Sequence, residues 1–271
     1  MKTKINFKTL VFPILILSLQ SCFVAKEYER PEVVKEENYR TDNLPQDSIT
    51  MADVSWKDMF TDPVLQGYIA EGLENNIDIR VAMQQILAAE AYLKQGKAGY
   101  FPSLTGNASF THQELSSNSQ FGGLFSSLDQ YEISGSLSWE ADIWGKIRSN
   151  KRAFEASYLQ SIAAHQAVKT TLIANIASSY YQLAALDEQK SVTEKTIENR
   201  KKSLETNKAL KEAGNITEVG VKQTEAQLYT AQALLIDINN QIRLLENTIS
   251  ILLGKEPTSI QRTALERQNI E

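Results

Sequence analysis

A single cysteine, Cys22, is all the chain contains, so no intramolecular disulfide can form and the fold must hold by packing. Histidine is nearly absent too. His112 and His165 lie far apart in sequence, which excludes a histidine metal cluster. The net charge of -5 leaves no electrostatic footprint for nucleic acid. Long hydrophobic runs are also missing: the apolar stretch Leu10 to Leu19, interrupted by Pro13 and Ser18, is too short to span a bilayer as a helix. Glycine and proline are absent altogether from Lys146 to Ala213. That last absence is the strongest signal in the sequence. A continuous helix there would rise about 100 Å, far beyond the usual globular helix of about 11–12 residues.

What is present begins with a basic segment, Lys2, Lys4 and Lys8, ahead of that short apolar stretch, so residues 1–21 read as a secretory signal. The stretch ends in Leu19-Gln20-Ser21-Cys22, which resembles a bacterial lipobox, in which the cysteine is lipidated and becomes the mature N-terminus. The alternative is an ordinary signal peptide with an incidental cysteine. Phe23 follows, not the Asp that often marks inner-membrane retention, which favours the outer membrane. Several acyl chains anchor a protein stably, since each buried methylene contributes about 0.8 kcal/mol. Apart from this covalent lipid on Cys22, no cofactor and no metal site is expected.

Residues 22–55 are polar, with Pro31, Pro45 and many acidic groups, and read as an extended periplasmic tether. Asp62-Pro63 is a good helix start, with Asp62 as N-cap. Apolar residues at Leu65, Ile69, Leu73, Ile77, Met83, Ile86, Leu87 and Leu93 predict one helix over 63–97, about 50 Å long, ended by Gly96 and Gly99 before Pro102. The period then changes to two. Leu104, Gly106, Ala108 and Phe110 alternate with polar residues, as do Tyr131, Ile133, Gly135, Leu137 and Trp139. This predicts strands over 103–115 and 130–142, each with one apolar face and close to the length of a tilted transmembrane strand. A small water-exposed hairpin packed on a helix is the other reading.

The glycine-free stretch predicts a long helix over 146–212, with alanines and apolar residues in its first half and mostly Lys and Glu in its second. Gly214-Asn215 breaks it. Thr217 then caps a helix over 217–253 whose seam, Val221, Thr224, Leu228, Ala231, Leu235, Ile238, Ile242, Leu245, Ile249 and Leu252, alternates steps of three and four. Residues 258–271 look polar and loosely ordered. The helices of about 50 and 55 Å together match the one of about 100 Å. The predicted class is therefore mainly α with a β-hairpin: a long helical hairpin, or coiled-coil rod, carrying two transmembrane strands. A lone hairpin cannot sit in a bilayer with unpaired edges, so closure needs further strands and hence an oligomer.

Six motifs carry a family resemblance. They are Tyr28-Glu29-Arg30-Pro31; Trp56 with Phe60, Asp62, Pro63 and Leu65; Leu73-Glu74-Asn75-Asn76-Ile77-Asp78-Ile79; Tyr100-Phe101-Pro102-Ser103-Leu104; Ser138 through Lys146; and Leu252-Leu253-Gly254-Lys255-Glu256-Pro257. In order and content they resemble the outer-membrane efflux proteins, the TolC-like, NodT-type lipoproteins. The resemblance implies trimers of two-repeat protomers, with a twelve-stranded barrel above an α-helical tunnel. Residues 56–257 resemble the first repeat only. A fragment, a truncated gene or one half of a split protein would each give this pattern.

By that resemblance the chain is expected to be a lipid-anchored outer-membrane component reaching into the periplasm, passively exporting small molecules. Its implied partners are an adaptor (membrane fusion) protein, an inner-membrane transporter, membrane lipid and, for the full-length family, two further copies in a homotrimer. The turn Gly214, Asn215, Ile216, Thr217, Glu218, Val219 and Gly220 matches the tip that meets the adaptor, against the plainer reading of a helix-hairpin loop. A periplasmic adaptor lipoprotein and a structural coiled-coil lipoprotein are the competing classes. The first should flank its hairpin with lipoyl-like β segments, and the second has no use for residues 102–142. An enzyme is the least supported class: Glu140 and Asp142 flank a strand end with no nucleophile or histidine nearby.

Overall fold

The computed structural model describes residues 54–265 except 117, 121, 122 and 125, together with Glu29 and Pro31. The signal segment, Cys22 and most of the tether lie outside the described residues. The elements are α1 (Trp56–Met59), α2 (Pro63–Asn75), α3 (Ile77–Ala98), β1 (Ser103–Glu114), β2 (Ser127–Ser138), α4 (Lys146–Glu212) and α5 (Glu218–Leu252). The chain forms two compact units, one from residues 87–160 and one from residues 54–86 and 161–265, within the described residues.

In the larger unit, Asp62 starts α2 by accepting a bond from Val64 N at 2.9 Å, with Pro63 in the first turn. The helix ends at Asn75, and the single predicted helix over 63–97 is in fact two. Asn76, buried, is the reason. Its Oδ1 accepts from Asp78 N at 2.8 Å and Ile79 N at 3.2 Å, capping α3, while its Nδ2 donates to the carbonyl of Leu252 at 2.9 Å. The break resets the helical phase. Ile69, Gly72, Asn76, Ile79 and Ala82 are buried, whereas Ile77, Met83 and Leu87, read as part of the apolar stripe, are exposed.

The core of this unit joins Leu65 and Ile69 of α2 to Leu172, Ile176, Tyr180 and Leu183 of α4 and to Ile242 and Ile249 of α5. Each such side chain contributes roughly 1.5–3 kcal/mol by burial. Every residue of the predicted α5 seam is buried or half-buried, as a heptad stripe requires. Residues 258–265 depart from the expected loose tail. Ile260 is 3% exposed and joins the core, and Arg262 forks onto Asp187. Isolated polar residues in a sequence do not announce that partners on distant helices will hold them.

In the smaller unit Leu93 of α3 is buried, and Gly96 of α3 lies against Phe154 of α4. Gly96 does not end the helix. It lets Phe154 approach, since a Cβ there would lie 2.5 Å from the ring, and Phe154 stacks on Tyr92 at 6.3 Å. β1 and β2 pair antiparallel from Ser103↔Ser138 to Glu114↔Ser127. The second strand starts and ends earlier than the predicted 130–142. Residues 139–142 leave the ladder because Asp142 is needed elsewhere: its carboxylate accepts from Ile147 N and Arg148 N, both at 2.9 Å, and so caps α4. α4 is one unbroken helix of 67 residues.

Candidate functional site

Three places bear on function. The first is the hairpin. Register puts Leu104 opposite Leu137, Gly106 opposite Gly135, Ala108 opposite Ile133 and Phe110 opposite Tyr131, all on one face. The other face pairs Thr105 with Ser136, Asn107 with Ser134 and Ser109 with Glu132. All twenty-four strand residues are exposed, Ile133 to 90% and Leu104 to 78%, so nothing among the described residues covers the apolar face. Toward the loop the apolar face gives way to a hydrogen bond between His112 and Asp129. At the other end the Trp139 indole donates to the Tyr100 carbonyl at 3.2 Å, joining the two junction motifs. Trp139 and Trp144 are both exposed, and Glu140 is bound to Lys146 at 2.8 Å. The carboxylates of this motif are thus a cap and an ion-pair partner.

The second place is the turn between α4 and α5, and it follows from helix-end chemistry. Gly214 has φ +77, which only glycine adopts without strain. Asn215 N then bonds the Leu210 carbonyl and Gly214 N the Lys211 carbonyl, both at 2.9 Å, closing the helix as a Schellman motif. Thr217 caps α5, its hydroxyl accepting from Gly220 N. Lys211 pairs with Glu218 and lowers its carboxyl from the ordinary value. Ile216 packs on the small core of Ile197, Leu204, Val221 and Leu228, while Val219 points outward at 74% exposure. The turn is therefore closed by backbone hydrogen bonds, polar at its rim and tipped by one exposed valine.

The third place is where two motifs, read separately in the sequence, meet. Gly254, at φ +71, sits so close to Asn75 that an added Cβ would lie 2.5 Å from its carbonyl oxygen. Lys255 bonds Glu71 at 2.7 Å beside the Tyr68 ring. Together with the Asn76–Leu252 bond, these contacts make the motifs at 73–79 and 252–257 a single clasp. The motif around Trp56 and Asp62 is likewise structural. Tyr180 donates to Asp62 Oδ2 at 2.6 Å, and burial together with that bond pushes the phenol up to about 12. Sequence reasoning missed the Arg262 contacts, for which the sequence holds no signal. Cys22 and its flanking motif lie outside the described residues.

Among the described residues no group of His, Cys, Asp and Glu could hold a metal ion, and no helix is long and apolar enough to cross a membrane. The profile of the family described as outer membrane efflux protein matches residues 68–255. The chain is 25% identical over 256 residues to the probable outer membrane lipoprotein SilC of Salmonella typhimurium, covering 90% of this chain and 54% of that one. It is 27% identical over 266 residues to the toluene efflux pump outer membrane protein TtgI of Pseudomonas putida, covering 96% and 56%. The solved structure of the outer-membrane channel OprN matches in fold with a TM-score of 0.71 at 24% identity, over 92% of this chain and 56% of that one. The chain spans about half the length of the curated relatives it matches. With the profile running from α2 to the Gly254 clasp, the chain belongs to the outer membrane efflux protein family.

Proposed function

We propose that this chain supplies the first repeat of an outer-membrane channel for efflux, a passive exit for small molecules from periplasm to exterior. The observation that carries the reading is the hairpin: its apolar side chains all share one face, and among the described residues that face is bare and both sheet edges are open. Such a sheet is stable in a bilayer only when further strands close it into a barrel. The likeness to efflux-pump outer-membrane proteins supports the same assignment, as does their length, which leaves room for a second repeat.

In this reading a homotrimer of two-repeat protomers forms the barrel, and the 214–220 turn meets a periplasmic adaptor that links the channel to an inner-membrane transporter. The exposed Val219 and the salt-bridged rim offer the adaptor an apolar point ringed by polar groups. Cys22 carries the lipid that holds the protein to the outer membrane, and the transport itself needs no cofactor. Expression of the chain in a bacterial host with radiolabelled fatty acid tests the anchor: label should enter the parent and not Cys22→Ala. Equal labelling of the two would end the lipoprotein reading. Outer-membrane fractionation tests the rest, since release of the chain by salt or alkaline wash without detergent would contradict a membrane-embedded hairpin.

A further inference from the structure

Resting on the membrane-embedded hairpin of the proposed function, we propose that the helix ends beside it form a docking surface for anionic phospholipid headgroups, centred on Lys97, Arg148, Lys151 and Arg152. Lys97 stands in the last turn of α3, and the other three stand in the first two turns of α4. At 1.5 Å of rise per residue, all four lie within about 10 Å of the helix ends that carry the strands. Headgroups occupy a layer of about 5–8 Å on each side of the hydrocarbon, and long basic side chains reach such a layer along their apolar stems. The chain as a whole is acidic, with a net charge of -5, so this local surplus of cations runs against its composition.

Neighbouring charges are already committed, and these four are not. Lys94 pairs with Glu90 at 2.7 Å and Lys146 with Glu140 at 2.8 Å, while the Asp142 carboxylate caps α4. Among the described residues no ion pair engages Lys97, Arg148, Lys151 or Arg152, and Glu155 is the only carboxylate that α4 carries between Lys146 and Gln160. The cations also share a side. A groove lined by Gln95 of α3 and by Lys146 and Asn150 of α4 marks one side of the helix pair. Two residues along a helix are about half a turn apart. Lys97 therefore points away from Gln95, and Arg148 and Arg152 point away from Asn150, all toward the side opposite the groove. Beside them the junction is apolar: Phe101, Ile143 and Trp144 are 72–73% exposed, and Trp139, 63% exposed, continues the alternation of Tyr131, Ile133 and Leu137. Bare aromatic groups adjoining unpaired cations match the edge of an anionic leaflet, where acyl chains meet phosphate.

Tryptophan quenching on the full chain reconstituted into phosphatidylcholine vesicles tests the surface, with brominated acyl chains carried by either phosphatidylglycerol or phosphatidylcholine at equal mole fraction. Trp139 and Trp144 report, and Trp56→Phe removes the third tryptophan from the signal. A basic side chain near an anionic leaflet is worth roughly fivefold in binding, so brominated phosphatidylglycerol should quench with about a fivefold larger constant. Salt at about 0.5 M should remove most of that preference by screening. Arg148→Gln combined with Arg152→Gln should bring the ratio near unity, and Glu155→Gln should raise it. Lys208→Gln, near the other end of α4, should leave it unchanged. The parent comparison decides without any variant: equal quenching by the two lipids would overturn the proposal while leaving the hairpin in the bilayer. Quenching by neither would remove the membrane reading and the proposal with it. Inorganic phosphate at fixed ionic strength should not compete, and a preference lost to it would assign the cations to the free anion and overturn the lipid docking.

Discussion

Replacing Asn76 with alanine separates two accounts of the first helical segment by sign. If residues 63–97 formed one helix, exchanging a mid-helix asparagine for alanine would stabilise the chain by roughly 0.5 kcal/mol. The structure gives the opposite. Asn76 caps α3 through Asp78 N and Ile79 N, and losing such a cap costs about 1 kcal/mol. It also donates to the Leu252 carbonyl from a site only 4% exposed, and losing that bond costs about 1 kcal/mol more. Asn76→Ala should therefore destabilise by about 2 kcal/mol, and by more if no water reaches the orphaned carbonyl. Asn76→Ser keeps the cap and loses the tie, so it should cost about half as much. Urea denaturation in mild detergent, followed by far-ultraviolet circular dichroism, gives the midpoints, read at constant slope. An alanine variant as stable as the parent, or more so, would refute the cap-and-tie reasoning.

Other expectations follow from the same contacts. Gly254→Ala forces a left-handed backbone on a residue with a Cβ and drives that Cβ against the Asn75 carbonyl, so it should cost more than about 1 kcal/mol in the same denaturation assay, with 75–79 losing exchange protection. Folding raises the Tyr180 phenol from the usual 10.0 up to about 12, so its contribution is complete below pH 10 and is lost as pH climbs from 10 toward 12. The parent should therefore lose about 2–3 kcal/mol more than Tyr180→Phe over that window, and parallel pH profiles for the two would contradict the burial argument. Asp142→Ala should fray the first turn of α4 by about 0.5–2 kcal/mol, visible as faster exchange confined to 146–150.

Periodic features are legible in the residues themselves. The period-two alternation puts Leu104, Ala108 and Phe110 on one face, and pairing with Leu137, Ile133 and Tyr131 keeps them there. The three-four spacing of α5 and the glycine-free span of α4 also need no tertiary information, because a helix repeats its own face. What escapes are the residues whose roles depend on a distant partner. Asn76 sits in a good helical pattern, and beside its local cap on Asp78 N and Ile79 N its amide is tied to Leu252, 176 positions away. Gly96 reads as a helix stop because glycine serves both termination and close approach, and Phe154 decides between them. Arg262 reads as part of a polar tail, since its carboxylates stand on two other helices. The 214–220 turn can be located from Gly214 and Asn215, but the bare Val219 becomes evident only once Ile216 turns inward.

The central claim is that the hairpin meets lipid on one face and water on the other. Nitroxide labels on cysteines introduced singly from 104 to 110, in chain reconstituted into vesicles, test it through collision rates with oxygen and with a water-soluble nickel chelate, using the parent as baseline. Positions 104, 106, 108 and 110 should favour oxygen and positions 105, 107 and 109 the nickel chelate, a strict alternation along β1. Equal access of the nickel chelate to both sets would mean that both faces are wet, and the account of a membrane conduit would fail.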